Sequence, residues 1–230
     1  MKNKLTIYSL LSFISLFLVA FIFSFDLVGA IVSFAQTIQL LSENNVQGVE
    51  AILATSILEL LACIACIVLA ALESKKLKKG TYDNGRLIYE VTAIFYTVLA
   101  ISLILVLTSF GVVDAGILTL AILLLIVSAF NAFLVFYSKK LTTGLAKILA
   151  IVADALDFIF IIILLVSYLN TTTMGILVGV FLIILYLINL TIDIISIFNK
   201  SLLDKVITNV NTQEEKPIET KEEQKEDKTE

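Results

Sequence analysis

Histidine and tryptophan are absent, arginine occurs once, at Arg86, and proline once, at Pro217. Without histidine there is no Ser-His-Asp triad, no His-ligated zinc and no imidazole proton shuttle. No G-x-S-x-G elbow, Walker-type loop or dinucleotide fingerprint is present either. An aspartate-based intramembrane hydrolase, with Asp154 or Asp157 facing Asp193, is the enzyme reading that survives, and the glycine-aspartate signature of such enzymes is missing. The sequence therefore reads as non-enzymatic.

Proline occurs in no apolar run, and Gly116, Gly175 and Gly179 lie near the outer ends of theirs. Spans broken in mid-membrane, the usual substrate cradle of secondary transporters, and carbonyl-lined filters are thus not expected. The two cysteines, Cys63 and Cys66, form a C-x-x-C inside an apolar run. There they read as small core residues rather than as a redox or metal motif, and they do not report a compartment.

What the chain has in abundance is apolar surface: 59% of its 230 residues are hydrophobic and the mean hydropathy is +1.03. A water-facing domain needs more charge than this, so the solvent for most of the chain is lipid. A transmembrane helix needs about 20 apolar residues to cross about 30 Å of hydrocarbon. Six runs qualify, at about 5–25, 51–72, 87–110, 116–137, 148–169 and 174–198. The segments between them that carry lysine alternate with segments that carry no base. Lys2 and Lys4, Lys75, Lys76, Lys78, Lys79 and Arg86, Lys139, Lys140 and Lys147, and Lys200 and Lys205 fall on one side. Glu43, Glu50 and Asp114 fall on the other. The positive-inside rule then places both termini in the cytoplasm of a multi-pass plasma-membrane protein. A skew toward Lys, Ile and Asn points to an AT-rich bacterial genome.

The loop Ser74-Lys75-Lys76-Leu77-Lys78-Lys79-Gly80 returns as Ser138-Lys139-Lys140-Leu141-Thr142-Thr143-Gly144, 64 positions later. The same offset relates Glu90 to Asp154 and Gly111 to Gly175, so the second and third hairpins look duplicated. The fold expected is all-α: a polytopic bundle of six transmembrane helices in three antiparallel hairpins, filling 1–207. The first run is too long for the apolar core of a secretory signal and is read as an uncleaved span. After it, residues 27–41 place Leu27, Ile31, Phe34, Ile38 and Leu41 on one face and Asp26, Gly29, Ser33 and Gln36 opposite. This pattern suits an outer amphipathic helix, or a tilted first span that continues past Asp26. Residues 208–230 hold eight acids, four lysines and almost nothing apolar, the composition of a disordered acidic cytoplasmic tail.

Polar residues inside the runs carry the functional reading, because an Asp at mid-span costs about 3 kcal/mol on insertion scales. Asp154 and Asp157 are i,i+3, Asn189 and Asp193 are i,i+4, and Tyr186 and Ser196 extend the second stripe. With Glu90 and Asn131 these residues fall in one inner-leaflet layer. Such a layer suits binding of a hard cation through oxygen or the carriage of protons. The alternative is that they hydrate near the interface, or pair with Lys147 and Lys200, and orient helix packing. Glu59 lies deeper, on a face with Thr55, Ala62, Cys66 and Ala70, which reads as a close-packing surface or, more sharply, as a proton or ion relay. No cofactor is indicated beyond a cation of unknown identity.

The leading expectation is a non-enzymatic subunit that transports or senses a small solute or cation. The alternative is a scaffold or assembly protein acting through helix faces, basic loops and tail, with anionic lipids, membrane-protein partners or further copies of itself, and no nucleic acid, as its contacts.

Overall fold

The computed structural model describes residues 7–42, 48–79, 82–111, 114–137, 140–167 and 173–198. Six α-helices account for nearly all of them: α1 (Ile7–Ser42), α2 (Val49–Lys79), α3 (Asn84–Phe110), α4 (Ala115–Tyr137), α5 (Thr143–Ser167) and α6 (Thr173–Phe198). Each is long and apolar enough to cross a membrane. The shortest, α4, has 23 residues and the longest, α1, has 36; at 1.5 Å per residue they reach about 35 Å and about 54 Å. The acidic tail at 208–230, Lys2, Lys4, Lys200, Lys205 and the turns at 43–47, 112–113 and 168–172 lie outside the described residues.

Helix ends follow local chemistry. Asp83 caps α3, its side chain accepting the Arg86 N–H at 3.2 Å, and Asp114 caps α4 by accepting the N–H groups of Gly116 and Ile117 at 2.8 and 3.1 Å. Gly111 closes α3 in the left-handed region, φ 62°, with its N–H turned back to the last carbonyls, a conformation that a Cβ would strain. Gly48, at φ 81°, sits against the Phe110 ring, so α2 begins level with the end of α3.

Two boundaries differ from the sequence expectation. Residues 27–41 are not a separate amphipathic helix; of the two alternatives it is the first span continuing past Asp26 that holds, α1 running unbroken to Ser42. Its large apolar residues Val28, Ile31 and Ile38 face outward while Ala30 and Thr37 are buried. Ser33 faces α2, its hydroxyl 3.3 Å from that of Ser56, while Gly29 and Gln36 of the same polar face are exposed. Because Ser56 already donates to the Ile52 carbonyl, Ser33 is the donor between them. The repeated lysine loop also takes two forms. In its first copy residues 74–79 are still helix, since lysine sustains a helix. In the second copy threonine replaces Lys78 and Lys79, and the Thr142 carbonyl starts α5 by accepting the Ala146 N–H at 2.9 Å. With α3 starting at Asn84 and α5 at Thr143, the helix starts do not keep the 64-residue offset of the loop.

Packing runs around the bundle in chain order, α1 on α2 through to α5 on α6, and α6 returns to α1; α3 also touches α1 and α6 and so leans toward the centre. Aromatic contacts mark the closure: Phe21 meets Phe181 edge-on at 5.3 Å, and Phe23 meets Phe95 at 6.2 Å. Large apolar side chains such as Phe17, Leu61, Ile126, Phe136 and Val166 point outward, while Ser12, Ser15, Thr92, Ser128, Asn131, Asp154, Asp157 and Asn189 are buried. In water this distribution would be unstable; in lipid it is the favourable one, because polar groups find partners only inside the bundle.

The α1–α2 register can be checked by cross-linking. With Cys63→Ser and Cys66→Ala in place, Ser33→Cys and Ser56→Cys should form a disulfide under mild oxidation, detectable as a linked peptide pair by mass spectrometry. Shifting one partner by two residues should abolish it, because the new side chain then points off the shared face.

Candidate functional site

The polar residues of α3, α4, α5 and α6 meet at the end of the bundle where the lysine-bearing segments lie. On α5, Asp154 and Asp157 face inward and are fully buried, as are Asn131 of α4 and Asn189 of α6, all at 0% exposure. Asn131 Nδ2 donates to Asp157 Oδ1 at 3.0 Å and also to the Val127 carbonyl one turn back. Asn189 Nδ2 donates to Asp154 Oδ1 at 2.7 Å. Each aspartate of α5 is thus held by an amide from a different neighbouring helix.

A relay of like-directed hydrogen bonds ends on Asp154. Tyr82 Oη donates to Asn84 Oδ1 at 3.1 Å, Asn84 Nδ2 donates to Asn189 Oδ1 at 2.7 Å, and Asn189 then donates to Asp154. The carboxylate fixes this direction. An ionised Asp154 only accepts, so Asn189 must offer its NH2 group, which turns its oxygen to Asn84 and in turn the oxygen of Asn84 to Tyr82. Bonds aligned in one sense polarise each other and strengthen together.

Further hydroxyls close the layer from α3. Tyr89 Oη donates to Asp193 Oδ2 at 3.2 Å, Thr92 Oγ1 to Tyr186 Oη at 3.1 Å, and Tyr96 Oη to the Asp157 carbonyl at 3.2 Å. Asp193 is partly exposed. It is the neighbouring charge that acts most strongly on Asp154, and it lies within electrostatic reach of Lys147. Even so, Asp157 Oδ2 and Asn131 Oδ1 accept no hydrogen bond, and Asp154 Oδ2 accepts none from an amide or hydroxyl, though the Asp193 carboxyl lies within hydrogen-bonding reach of Asp154; elsewhere in the bundle the buried hydroxyls of Ser12, Ser15 and Ser102 are likewise without partners.

Of the layer expected from the sequence, Asn131, Asp154, Asp157, Asn189 and Asp193 join this network, linked through α5 and α6. Glu90 turns elsewhere, accepting from Arg86 Nε at 2.8 Å one turn earlier on the same helix. The Ser196 side chain lies outside the described residues. Among the described residues no three His, Cys, Asp or Glu side chains converge closely enough to hold a metal ion, so the carboxylates act through amides and hydroxyls rather than as a shared ligand set.

Glu59 lies on α2, away from this layer. Thr55, Ala62, Cys66 and Ala70, the small residues of its face, are buried. One turn from Glu59, Cys63 Sγ donates to Asp26 Oδ2 at 3.4 Å. Asp26, read from the sequence as the outer edge of the first span, is therefore an acid in mid-helix. Sequence reasoning also missed the α3 contribution of Asn84, Tyr89, Thr92 and Tyr96. A signal was available: Tyr82, Tyr89 and Tyr96 recur every seventh residue, with Thr92 between the last two, which marks one polar helix face.

No protein-family model, curated protein or solved structure matches this chain. Its functional reading therefore rests on the geometry of the network.

The network makes a graded stability prediction. Asn189→Leu removes two interhelical hydrogen bonds and Asn131→Leu removes one; at about 0.6 to 1.7 kcal/mol for each bond in a membrane protein, the losses should be about 1–3 and about 1 kcal/mol. Reversible unfolding of the full chain in mixed micelles measures both, and equal losses would mean that the bond from Asn84 to Asn189 contributes nothing.

Proposed function

We propose that this protein is a non-enzymatic membrane subunit that transports or senses a small solute or cation, with the Asp–Asn network as its working site. The observation that carries the reading is the state of Asp154 and Asp157. Each is fully buried and holds one oxygen on an amide; the second oxygen of Asp157 has no partner, and Asp154 has the Asp193 carboxyl within hydrogen-bonding reach. A structural polar network ordinarily satisfies all its atoms, because each buried orphan costs about 1–3 kcal/mol. Oxygens left open inside a lipid-embedded bundle are more readily understood as places where something binds.

The arrangement proposed around the site is three antiparallel hairpins in the plasma membrane of a bacterial cell, with both termini cytoplasmic. The lysines that cluster at one end of the helices support this orientation. On this view the network lies in the inner-leaflet half and the acidic tail extends into the cytoplasm. A common origin of the second and third hairpins draws support from the repeated loop and from the acids Glu90 and Asp154. The two acids have since diverged in role, one paired with arginine and the other with amides.

A second reading, a scaffold that engages anionic lipid or a membrane partner, draws on α2. Its helix runs past its apolar stretch and carries Lys75 and Lys76 on the extension, with Lys76 paired to the buried Glu73. A basic helix end at the membrane surface suits acidic headgroups.

Replacing Asp154, Asp157 and Asp193 together by Asn tests the leading reading. The variant should reach the membrane at normal abundance, because Asn retains the size and hydrogen-bonding capacity of Asp. Growth under cation limitation, cation uptake and solute uptake, compared in cells with and without the variant, should show loss of at least one. If all three stay at the level of the unaltered protein, the network has no such role and the scaffold reading takes its place.

A further inference from the structure

Two acids of the network belong to different helices and touch. Asp154, on α5, is fully buried, and the carboxyl of Asp193, on α6, lies in hydrogen-bonding contact with it. Each is also held from elsewhere. Asp154 Oδ1 accepts from Asn189 Nδ2 at 2.7 Å, and Asp193 Oδ2 accepts from Tyr89 Oη at 3.2 Å. Asp154 Oδ2, although buried, takes nothing from an amide or a hydroxyl. That leaves the Asp193 carboxyl to answer it.

Such a contact has a chemical requirement. An ionised carboxylate has no hydrogen to give, so two of them cannot bond to each other, and side by side in a low-dielectric interior they repel. One proton on either partner reverses both effects: it turns an acceptor into a donor and halves the charge of the pair. The neighbouring donors do not replace it, because the Asn189 amide and the Tyr89 phenol are engaged at other oxygens of the two acids.

The surroundings come from every helix packed on α5 and α6. Tyr89 belongs to α3, with Asp83 just before that helix, while Arg86 and Glu90 on α3 answer each other. On α5, Lys147 lies toward the rim and acts on Asp193, and Asp157 lies about one turn deeper, with its Oδ1 on Asn131 of α4. No charged residue occurs on α4 itself. Tyr186 of α6 meets Thr92, and Asp26 of α1 is engaged with Cys63 on α2.

The two members differ in what they can turn to. Asp193 is partly exposed at the lysine-bearing end, with Lys147 in electrostatic reach, whereas Asp154 is enclosed. Toward the opposite end, buried Leu124, Ile161, Leu164, Leu182 and Leu185 close the interior. A proton that leaves the pair therefore departs through Asp193 to water at the lysine-bearing end. Two carboxylates remain; that of Asp193 can turn to Lys147 and solvent, and Asn189 keeps its bond to Asp154 and with it the register of α6 on α5.

We infer that Asp154 and Asp193 hold a single proton in common, a carboxyl–carboxylate clasp between α5 and α6 that exchanges with the solution at the lysine-bearing end through Asp193. The clasp stands on the contact between the two acids; that its proton is the species carried or sensed rests on the network being the working site.

The test uses the purified full chain in lipid nanodiscs. Infrared spectroscopy follows the C=O band of protonated carboxyl groups, identified by its shift in heavy water, as pH is raised. In Asp154→Asn and in Asp193→Asn the new NH2 group supplies the hydrogen that the proton supplied, so the contact is kept without the proton. Each single variant should remove the same part of the band, and the double variant should remove no more than either, because one proton has two owners. Asp157→Asn should leave that part in place. In the unaltered protein Tm should fall as pH rises through the loss of the band, since there the folded state binds one proton more than the unfolded chain, and both single variants should flatten the fall. Losses that add in the double variant would mean two separate protons, and a band unchanged in both single variants would mean no proton on the pair; either result overturns the inference. So does a Tm in the unaltered protein that does not follow the band, a measurement that needs no variant. A shared proton together with unaltered uptake in the triple Asn variant would retain the clasp and remove the transport or sensing role. Lost uptake in that variant without a shared proton would retain the role and overturn the clasp.

Discussion

Everything at the lysine-bearing end of the bundle depends on how two carboxyl groups shielded from solvent are answered by their neighbours. Asp154 and Asp157 lie on one face of α5, and a single helix cannot supply partners for both. The amides of Asn131 and Asn189 reach them from α4 and α6, and Asn84 reaches Asn189 from α3. Four helices are thereby fixed in rotation about their axes, since turning any one of them would carry its polar atom into lipid or apolar packing. Stability alone does not account for the aspartates. An interhelical hydrogen bond returns about 0.6 to 1.7 kcal/mol, whereas an Asp in mid-span costs about 3. Leucine at both positions would in turn strand the Asn131 and Asn189 amides, so the aspartates and asparagines are exchangeable only as a set.

The contact between α1 and α2 is built on another principle. Its contact surface is lined by small residues, Ala30 and Thr37 on α1 against Thr55, Ala62, Cys66 and Ala70 on α2, all buried, which lets two long helices approach closely and gain dispersion contacts along their length. Most of its hydroxyls settle locally: Thr37, Thr55 and Ser56 return theirs to carbonyls of their own helices. Ser33 with Ser56 and Cys63 with Asp26 are the side-chain bonds that cross between α1 and α2 among the described residues, fewer than in the amide lattice across α3 to α6. The molecule thus combines a helix pair held mainly by shape with a layer held by directional bonds.

How much of this was legible in the sequence depends on what hydropathy can register. All six helices were visible, because long apolar runs between lysine clusters have one reading in lipid. The ends were less so. Asp26 looked like a boundary, yet an acid that a neighbouring helix can serve need not end a span, and the sequence does not show Cys63 opposite it. Lysines after the second run looked like a loop, yet lysine is a good helix former and α2 carries on to Lys79. At the site, the aspartates and asparagines declared themselves as polar groups in apolar runs. The α3 tyrosines did not, since a phenol counts as apolar until its hydroxyl is seen to reach Asp193 or the Asp157 carbonyl. Glu90 was grouped with the layer by its depth and by its 64-residue offset from Asp154; the i,i+4 spacing from Arg86 was the better guide to its partner.

The choice of asparagine rather than lysine or arginine to face the buried aspartates has a chemical consequence. A guanidinium or ammonium pairs well with an ionised carboxylate and poorly with a protonated one, so a buried ion pair fixes the charge of its acid and makes any change of state disruptive. An amide N–H is indifferent in this respect: a protonated carboxyl still presents a carbonyl oxygen, and the same hydrogen bond survives. With Asn131 and Asn189 holding Oδ1 of Asp157 and Asp154, the second oxygen of each can gain or lose a positive charge while the helices keep their register. Lysine appears where that indifference is not needed, at the partly exposed rim beside Asp193. An amide-held carboxyl can thus change its charge while the lattice keeps its geometry, which is the property the proposed role would need.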